Sequence, residues 1–328
     1  MVSRGEQALT DVEVLLATYK PNMVFFHKLL RSVDSQTYPN ITLSVVDDSA
    51  DEDTYNAIAE AILTEIKSIP VRISKNEKNL GSNLTFERLT REAEGTYLAY
   101  CDQDDIWEAD KIEKLVEKLE EEKAALCYSD LLVINETDKK TADSFTAINK
   151  RVRHVAGEGL FGRFLRRNSV TGCTMLIRGD VAKQALPFCN EYYVHDHWLA
   201  LVAASAGRIA YVPKPLVRYR IHGGNQIGNQ KLAGISDRQS YLSVKLNKEV
   251  EKFEYLLAHK QFSEDNRAII RQTLTWVNVR KRFFEQRSLR NTIHMLGALP
   301  QDLQLILLEL IVAFAPASVG RAIIRALQ

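Results

Sequence analysis

At 328 residues the chain is long enough for one large α/β domain with an appendage, or for two domains. Hydrophobic residues make up 45% and charged residues 26%, the balance of an ordinary globular protein. The net charge is only +1, so no overall field draws in nucleic acid, which is excluded as a partner. The four cysteines (Cys101, Cys127, Cys173, Cys189) show no C-x-x-C spacing, and several sit in apolar runs. The first residues are polar and charged rather than an apolar export segment. Both features point to a reducing cytosol.

In chain order, residues 12–17 read as a short buried strand ending in Thr18-Tyr19-Lys20-Pro21. Phe26, Leu29, Leu30 and Val33 share one face of a helix over 23–36. A second strand, 41–46, stops at Asp47-Asp48-Ser49, and a helix over 54–66 leads to a third strand, 71–74. The loop 75–83 carries Asn79, Gly81 and Asn83; a helix closed by Gly95 follows, then a strand over 97–102. This alternation calls for a parallel sheet with right-handed crossovers. Several strands end in polar residues on one rim, where open α/β sheets bind ligands.

The fourth strand empties into Asp102-Gln103-Asp104-Asp105-Ile106-Trp107, three carboxylates within four positions. Asp102 and Asp104 converge on one point if the backbone turns there, and hard divalent cations prefer such oxygen ligands. An EF-hand is excluded because Ile106 and Trp107 fall at its fifth and sixth loop positions. The plainer reading is a loop whose acids cap the next helix, in which Glu108 and Asp110 enrich the first turn.

Further on, a charged helix over 109–123 precedes a strand at 125–128, and the polar stretch 138–159 reads as a mobile loop. A strand is expected over 168–177, with Gly172 where a backbone or ligand comes close. His195-Asp196-His197-Trp198 then leads into a helix over 199–205. A strand over 209–212 leads to Arg218-Tyr219-Arg220-Ile221-His222-Gly223-Gly224-Asn225. From about Ser236 the chain is helical and basic. The division expected is 1–235 for donor binding and catalysis and 236–328 as a helical C-terminal region.

Taken together, Ala17-Thr18-Tyr19, Asp47-Asp48-Ser49, Asn79-Leu80-Gly81, the acidic hexapeptide, Thr171-Gly172-Cys173, His195-Asp196-His197-Trp198 and the 218–225 loop resemble the inverting GT-A glycosyltransferases of family 2. Within it they resemble the bacterial rhamnosyltransferase-like branch, over roughly residues 11–230. The resemblance implies a Rossmann-like, mainly parallel sheet flanked by helices, and a metal-dependent hexosyltransferase of cell-surface polysaccharide synthesis.

It places Thr18, Tyr19, Asp47 and Asp48 in the nucleoside pocket, where one acid accepts the pyrimidine imide N–H and the aromatic ring packs on the base. Asn79 and Gly81 then lie near the ribose and diphosphate. Asp102 faces the ribose or donor sugar, and Asp104 and His222 hold Mn²⁺ or Mg²⁺. Arg218 and Arg220 meet the diphosphate charge. Asp196 is the general base that takes the acceptor's proton. The metal neutralises the leaving diphosphate, so no second carboxylic acid is required.

The donor so implied is dTDP-L-rhamnose, with UDP-hexoses as the alternative, and the acceptor is a saccharide or lipid-linked saccharide. A non-catalytic nucleotide-sugar-binding protein on the same fold is the rival of a different class; it would release no nucleoside diphosphate from a donor. The apolar run 303–314 is too short to span a membrane and is interrupted by Glu309. It reads as a buried helix, an oligomer contact or a segment lying on the membrane surface. The location expected is the bacterial cytoplasm, with peripheral contact to the inner face of the membrane.

Overall fold

The computed structural model describes residues 10–149, 152–223, 234–258, 261–297, 302–315 and 319. Chain contacts divide it into two compact units, Met1–Gly223 and Gly224–Gln328.

In the first unit, β1 (Val12–Thr18), β2 (Ile41–Asp47), β3 (Val71–Lys75) and β4 (Tyr97–Cys101) alternate with α1 (Met23–Asp34), α2 (Glu52–Glu65) and α3 (Ser82–Glu92). All four strands pair in parallel, in the order β3-β2-β1-β4. The expected apolar face of α1 is buried: Phe26, Leu29, Leu30 and Val33 are wholly inaccessible. Asn22 starts that helix by accepting from the Val24 and Phe25 amides, and Asp51 starts α2 through the Thr54 amide. Register sets Thr18 opposite Asp47 and Leu16 opposite Cys101, which brings the motif-bearing strand ends to one rim.

The second half of the sheet turns it mixed. Here β5 (Ile106–Trp107), α4 (Lys111–Glu121), β6 (Leu126–Ile134), β7 (Lys140–Ala142), α5 (Phe145–Ile148) and α6 (Phe161–Phe164) follow in order. After them come β8 (Met175–Arg178), α7 (Gly179–Gln184), α8 (His195–Ala206) and β9 (Ile209–Arg220). Strand β8 lies antiparallel between β4 and β6, β9 runs parallel to β6, and β5 closes the edge antiparallel to β9.

Three expectations are corrected. The strand expected over 168–177 shortens to β8, because Thr174 folds back on the Thr171 carbonyl through both its amide (2.9 Å) and its hydroxyl (2.8 Å). The stretch 138–159, read as a mobile loop, contains β7 hairpinned onto β6 and the helix α5. Helix α8 begins at His195, four residues early, which puts Asp196 in its first turn. The four cysteines are buried free thiols.

The second unit is helical. Short helix α9 (Arg238–Ser240), a π-helical turn (Tyr241–Leu246) and α10 (Asn247–Ala258) follow one another, then α11 (Glu264–Glu285), α12 (Leu289–Gly297) and α13 (Leu303–Phe314). Tyr241, Phe283, Phe284, Met295, Ile306 and Val312 are part of its core. Glu309, which interrupts the apolar run in the sequence, is fully buried against Arg280, itself fully buried (Nε to Oε2 2.9 Å), and takes the Tyr241 hydroxyl at 2.6 Å. Arg280 also donates to Glu249 at 2.7 Å and lies over the Trp276 ring. A buried charge so paired is compatible with an apolar helix. No described helix is long and apolar enough to cross a membrane.

Candidate active site

The rim at the ends of β1 and β2 is held by its own polar residues. Thr18 donates its hydroxyl to Asp47 Oδ1 (3.1 Å), which also accepts from the Ser49 amide (3.2 Å) and hydroxyl (2.7 Å). Asp48 is occupied differently. Its Oδ1 accepts from the Leu80 amide (2.7 Å) and the Asn76 side chain (2.8 Å), and its Oδ2 from the Gly81 amide (2.8 Å). Asp48 therefore fixes the loop that carries Asn79 and Gly81. Gly81 has φ +83°, a conformation that a side chain would strain. Asn79 and Tyr19 stay exposed, Tyr19 at 47%. Asp47 Oδ2 is the acid oxygen of this pair left buried without a donor.

The acidic loop leaves β4 and is clamped across the rim. Gln103 accepts from the Tyr19 amide (2.7 Å) and donates to the Tyr19 carbonyl (3.1 Å), locking the loop to the end of β1. Asp104 Oδ2 lies 2.6 Å from His222 Nε2, so the two residues expected to share a cation are brought together. Asp105 is fully buried; its Oδ1 accepts from the Arg220 amide (3.0 Å), and its side chain also takes a hydrogen bond from the Cys173 thiol. Lys111 approaches from beneath, fully buried, donating to the Cys173 carbonyl at 2.7 Å with its ammonium 3.0 Å from the Trp107 ring centroid. Burial brings that lysine down to about 7 despite the nearby acids. Asp110 does not cap α4: it pairs with Lys214 (2.8 Å) and Lys114 (3.4 Å), so a capping role does not account for it.

Negative charge is crowded here. Burial, then Asp104, then Asp196 push Asp102 up to about 7, against the pull of Lys111. Burial, then Asp104 and Asp102, hold Asp105 well above the carboxylate range. A divalent cation suits such a cluster. Asp102, Asp105 and Cys173 bring one ligand atom each to within 4.8 Å of one another. Burial, Asp105 and Asp102 raise the Cys173 thiol well above its usual range, so it stays protonated and donates to the carboxylates. The oxygen and imidazole donors of Asp104 and His222 fit Mn²⁺ or Mg²⁺ better than that thiol does.

Asp196 is held at the start of α8. Its Oδ1 accepts from the Asn168 amide group (3.1 Å) and the His197 backbone (2.5 Å). The helix cap is not Asp196 but Asn83 of α3, which accepts from the His195 amide (2.8 Å) and donates to the Tyr193 carbonyl (2.9 Å). Burial is the first cause that pushes Asp196 up to about 6, against backbone donors from His197 and Gly172. The His195 ring packs on Phe86 at 4.2 Å, and a side chain on Gly172 would meet His195 Nε2 at 2.8 Å. What comes close at this glycine is thus a side chain, where a backbone or ligand was expected. Burial alone lowers His195 to about 3, so its ring is neutral beside the carboxylate.

Of the two arginines expected at the diphosphate, Arg220 is committed within the protein. Arg220 is wholly buried: Nε donates to the Asp104 carbonyl (2.9 Å), Nη1 to the Asn135 carbonyl (3.0 Å) and to Asp138 (2.5 Å), over the Phe25 ring. It braces the acidic loop instead of offering its guanidinium to a ligand. Arg218 is half-exposed and paired with Glu108 at 2.7 Å. Gly224 and Asn225 lie outside the described residues. A second basic group was not singled out from the sequence. Arg163, on the turn that supplies Asn168, has Nε and Nη2 buried without a partner. Burial, Arg167, Arg153 and Arg166 together lower its pKa. Gln103, Asn76 and Asn168 also escaped the sequence reading, because a lone amide there looks like any loop residue.

A mixed sheet with flanking helices, crossed at its polar rim by an acidic loop, is the GT-A fold. The model of glycosyl transferase family 2 matches residues 18–183, just over half of the chain, and the chain belongs to that family. It is 26% identical over 221 residues to UDP-Glc:alpha-D-GlcNAc-diphosphoundecaprenol beta-1,3-glucosyltransferase WfaP of Escherichia coli, covering 67% of this chain and 80% of that one. It is 25% identical over 264 residues to dTDP-rhamnosyl transferase RfbG of Shigella flexneri, covering 75% and 86%. Among solved structures, S. aureus TarS 1-349 in complex with UDP-GlcNAc superposes with a TM-score of 0.57 at 15% identity, covering 96% of this chain and 91% of that one.

Proposed function

We propose that the protein is an inverting, metal-dependent glycosyltransferase that moves a sugar, L-rhamnose from dTDP-L-rhamnose, to a hydroxyl of a lipid-linked saccharide in bacterial cell-surface polysaccharide synthesis. The observation that supports it is the convergence of Asp104, His222, Asp102 and Asp196 at one rim, close enough that Asp196 raises Asp102. Residues 1–235 carry donor binding and catalysis, and 236–328 are a helical appendage.

In this reading Asp47, with its unmet Oδ2, accepts the imide N–H of the base, while Asp48 holds the Asn79–Gly81 loop against the ribose and diphosphate. Tyr19 is exposed and free to lie on the base. Asp104 and His222 hold the cation, which when bound neutralises the diphosphate as it leaves. Asp196 takes the acceptor hydroxyl's proton as the oxygen attacks the anomeric carbon; the bond from that carbon to the diphosphate breaks, and its electron pair leaves with the nucleoside diphosphate. The transition state is oxocarbenium-like. Asn168 and the His197 amide fix the carboxylate, and neutral His195 sets no competing charge beside it.

The choice of rhamnose rests on the acidic hexapeptide joined to the 218–225 loop and on the likeness to a dTDP-rhamnosyl transferase. The likeness to a glucosyltransferase named for a UDP-Glc donor keeps UDP-hexoses as the second reading. The lipid-linked acceptor draws on that relative's diphosphoundecaprenol acceptor and on the gathering of Arg153, Arg166 and Arg167 around Arg163. The test is nucleoside diphosphate release from a panel of nucleotide sugars with Mn²⁺. The expected response is to dTDP-L-rhamnose. Release from UDP-glucose or UDP-N-acetylglucosamine with none from dTDP-L-rhamnose overturns the donor, and release from no nucleotide sugar overturns the enzyme.

A further inference from the structure

The helices α12 and α13 each turn one face into the core of the second unit and leave an apolar face in water. On α13 the inward side is Ile306, Glu309, Val312 and Ala313. Its exposed residues are Leu303 (56%), Gln304, Leu307 (48%), Ile311 (50%) and Phe314 (56%). The four apolar ones recur every three or four residues, so they form one stripe along the helix. On α12, Met295 points inward, and Leu289 (78%), Ile293 (58%) and Leu296 (44%) form a second outward stripe with the same spacing. Single exposed leucines need no explanation, but two successive helices with continuous apolar outer faces do.

Charge decides what covers them. From residue 286 to the end of the sequence the only acids are Asp302 and Glu309. Asp302 caps α13 through the Leu305 amide, and Glu309 is sealed against Arg280. No acidic side chain of α12 or α13 therefore faces water. The cations of this stretch are Arg287, Arg290, Arg321 and Arg325. Of the described ones, Arg290 is exposed on α12 beside its stripe, and Arg287 is exposed where it donates to the Ala313 carbonyl at the end of α13. An apolar stripe bordered by cations, with no exposed acid on either helix, matches the acyl boundary and phosphates of an anionic bilayer. A second copy of the chain would set the same cationic border against itself.

We propose that the outer faces of α12 and α13 form a surface that lies in the interface of an anionic lipid membrane, with Leu303, Leu307, Ile311 and Phe314 entering the acyl boundary and Arg287 and Arg290 meeting lipid phosphates. The proposal takes from the reading above only the lipid-linked acceptor, and the two fail separately. Binding energy comes from both buried apolar area and basic residues, so salt weakens the contact without abolishing it.

The experiment is co-sedimentation of the full chain with vesicles of phosphatidylglycerol and phosphatidylcholine, beside vesicles of phosphatidylcholine alone, with nucleoside diphosphate release measured on the same samples. The wild type is expected to pellet with the anionic vesicles. The triple variant Leu303→Gln, Leu307→Gln, Ile311→Gln, altered only at water-facing positions, is expected to partition about 100-fold less. Arg287→Gln with Arg290→Gln is expected to lose mainly the preference for phosphatidylglycerol. Release from a water-soluble donor is expected to be unchanged in both. Undiminished vesicle binding by the triple variant, or none by the wild type at low salt, overturns the surface. So does a wild-type dimer, seen by light scattering, that the triple variant dissolves. Vesicle binding without release from any donor overturns the enzymatic reading and leaves the surface standing.

Discussion

Replacing Asp196 by Asn is expected to lower sugar transfer by about 10²–10⁴ while leaving donor affinity and folding intact. The size follows from what the substitution keeps and removes. An amide at this position still presents an oxygen to the Asn168 side chain and the His197 backbone, so the start of α8 holds its shape. Asn83, not Asp196, caps the helix, so no cap is lost. What disappears is the proton acceptor. The wild type should also show an acidic limb. Burial raises Asp196 to about 6, so the base is protonated below that pH and activity falls there with the deprotonated fraction. In the Asn variant the residual rate should lose that limb. Full activity in Asp196→Asn, measured by product formation, would remove the residue from the chemistry.

The second large effect concerns the cation. Asp104→Ala takes away the carboxylate that faces His222 at 2.6 Å, and the affinity for nucleoside diphosphate is expected to fall by more than the roughly 10–100-fold that loss of an outer-shell partner costs. Activity in the wild type should vanish with chelator and return with Mn²⁺ or Mg²⁺. Calorimetry with the nucleoside diphosphate, with and without metal, separates the two. In the variant the metal should no longer strengthen binding. Undiminished turnover in excess chelator would leave the acids with a structural task only.

Much of this was legible in the sequence, and the division has physical reasons. The parallel half of the sheet was read from short continuous apolar runs separated by helical ones, because strands buried on both faces and the 3.6-residue burial period of a helix leave direct traces in β1, β2, β4 and α1. The antiparallel insertion of β8 was not, because strand direction is set by pairing across the sheet and leaves no mark in four residues. The early start of α8 was hidden because its cap comes from Asn83, distant in sequence. The acids and His222 announced themselves by type and spacing. Arg220 was misjudged because a guanidinium two residues from a candidate ligand reads as anion-binding, while its burial under the acidic loop depends on Asn135 and Asp138 arriving from another turn. Glu309 looked like a break in an apolar helix for the same reason: Arg280 lies on a different helix.

The central claim, that Asp196 activates the acceptor for direct displacement at the anomeric carbon, is tested most directly by the configuration of the first product. Proton NMR of the sugar as it is transferred, or released to water, in the opening minutes with the responsive donor is expected to show the anomer opposite to that of the donor. The donor's own configuration in that first product would contradict single displacement and, with it, the role of Asp196 as base.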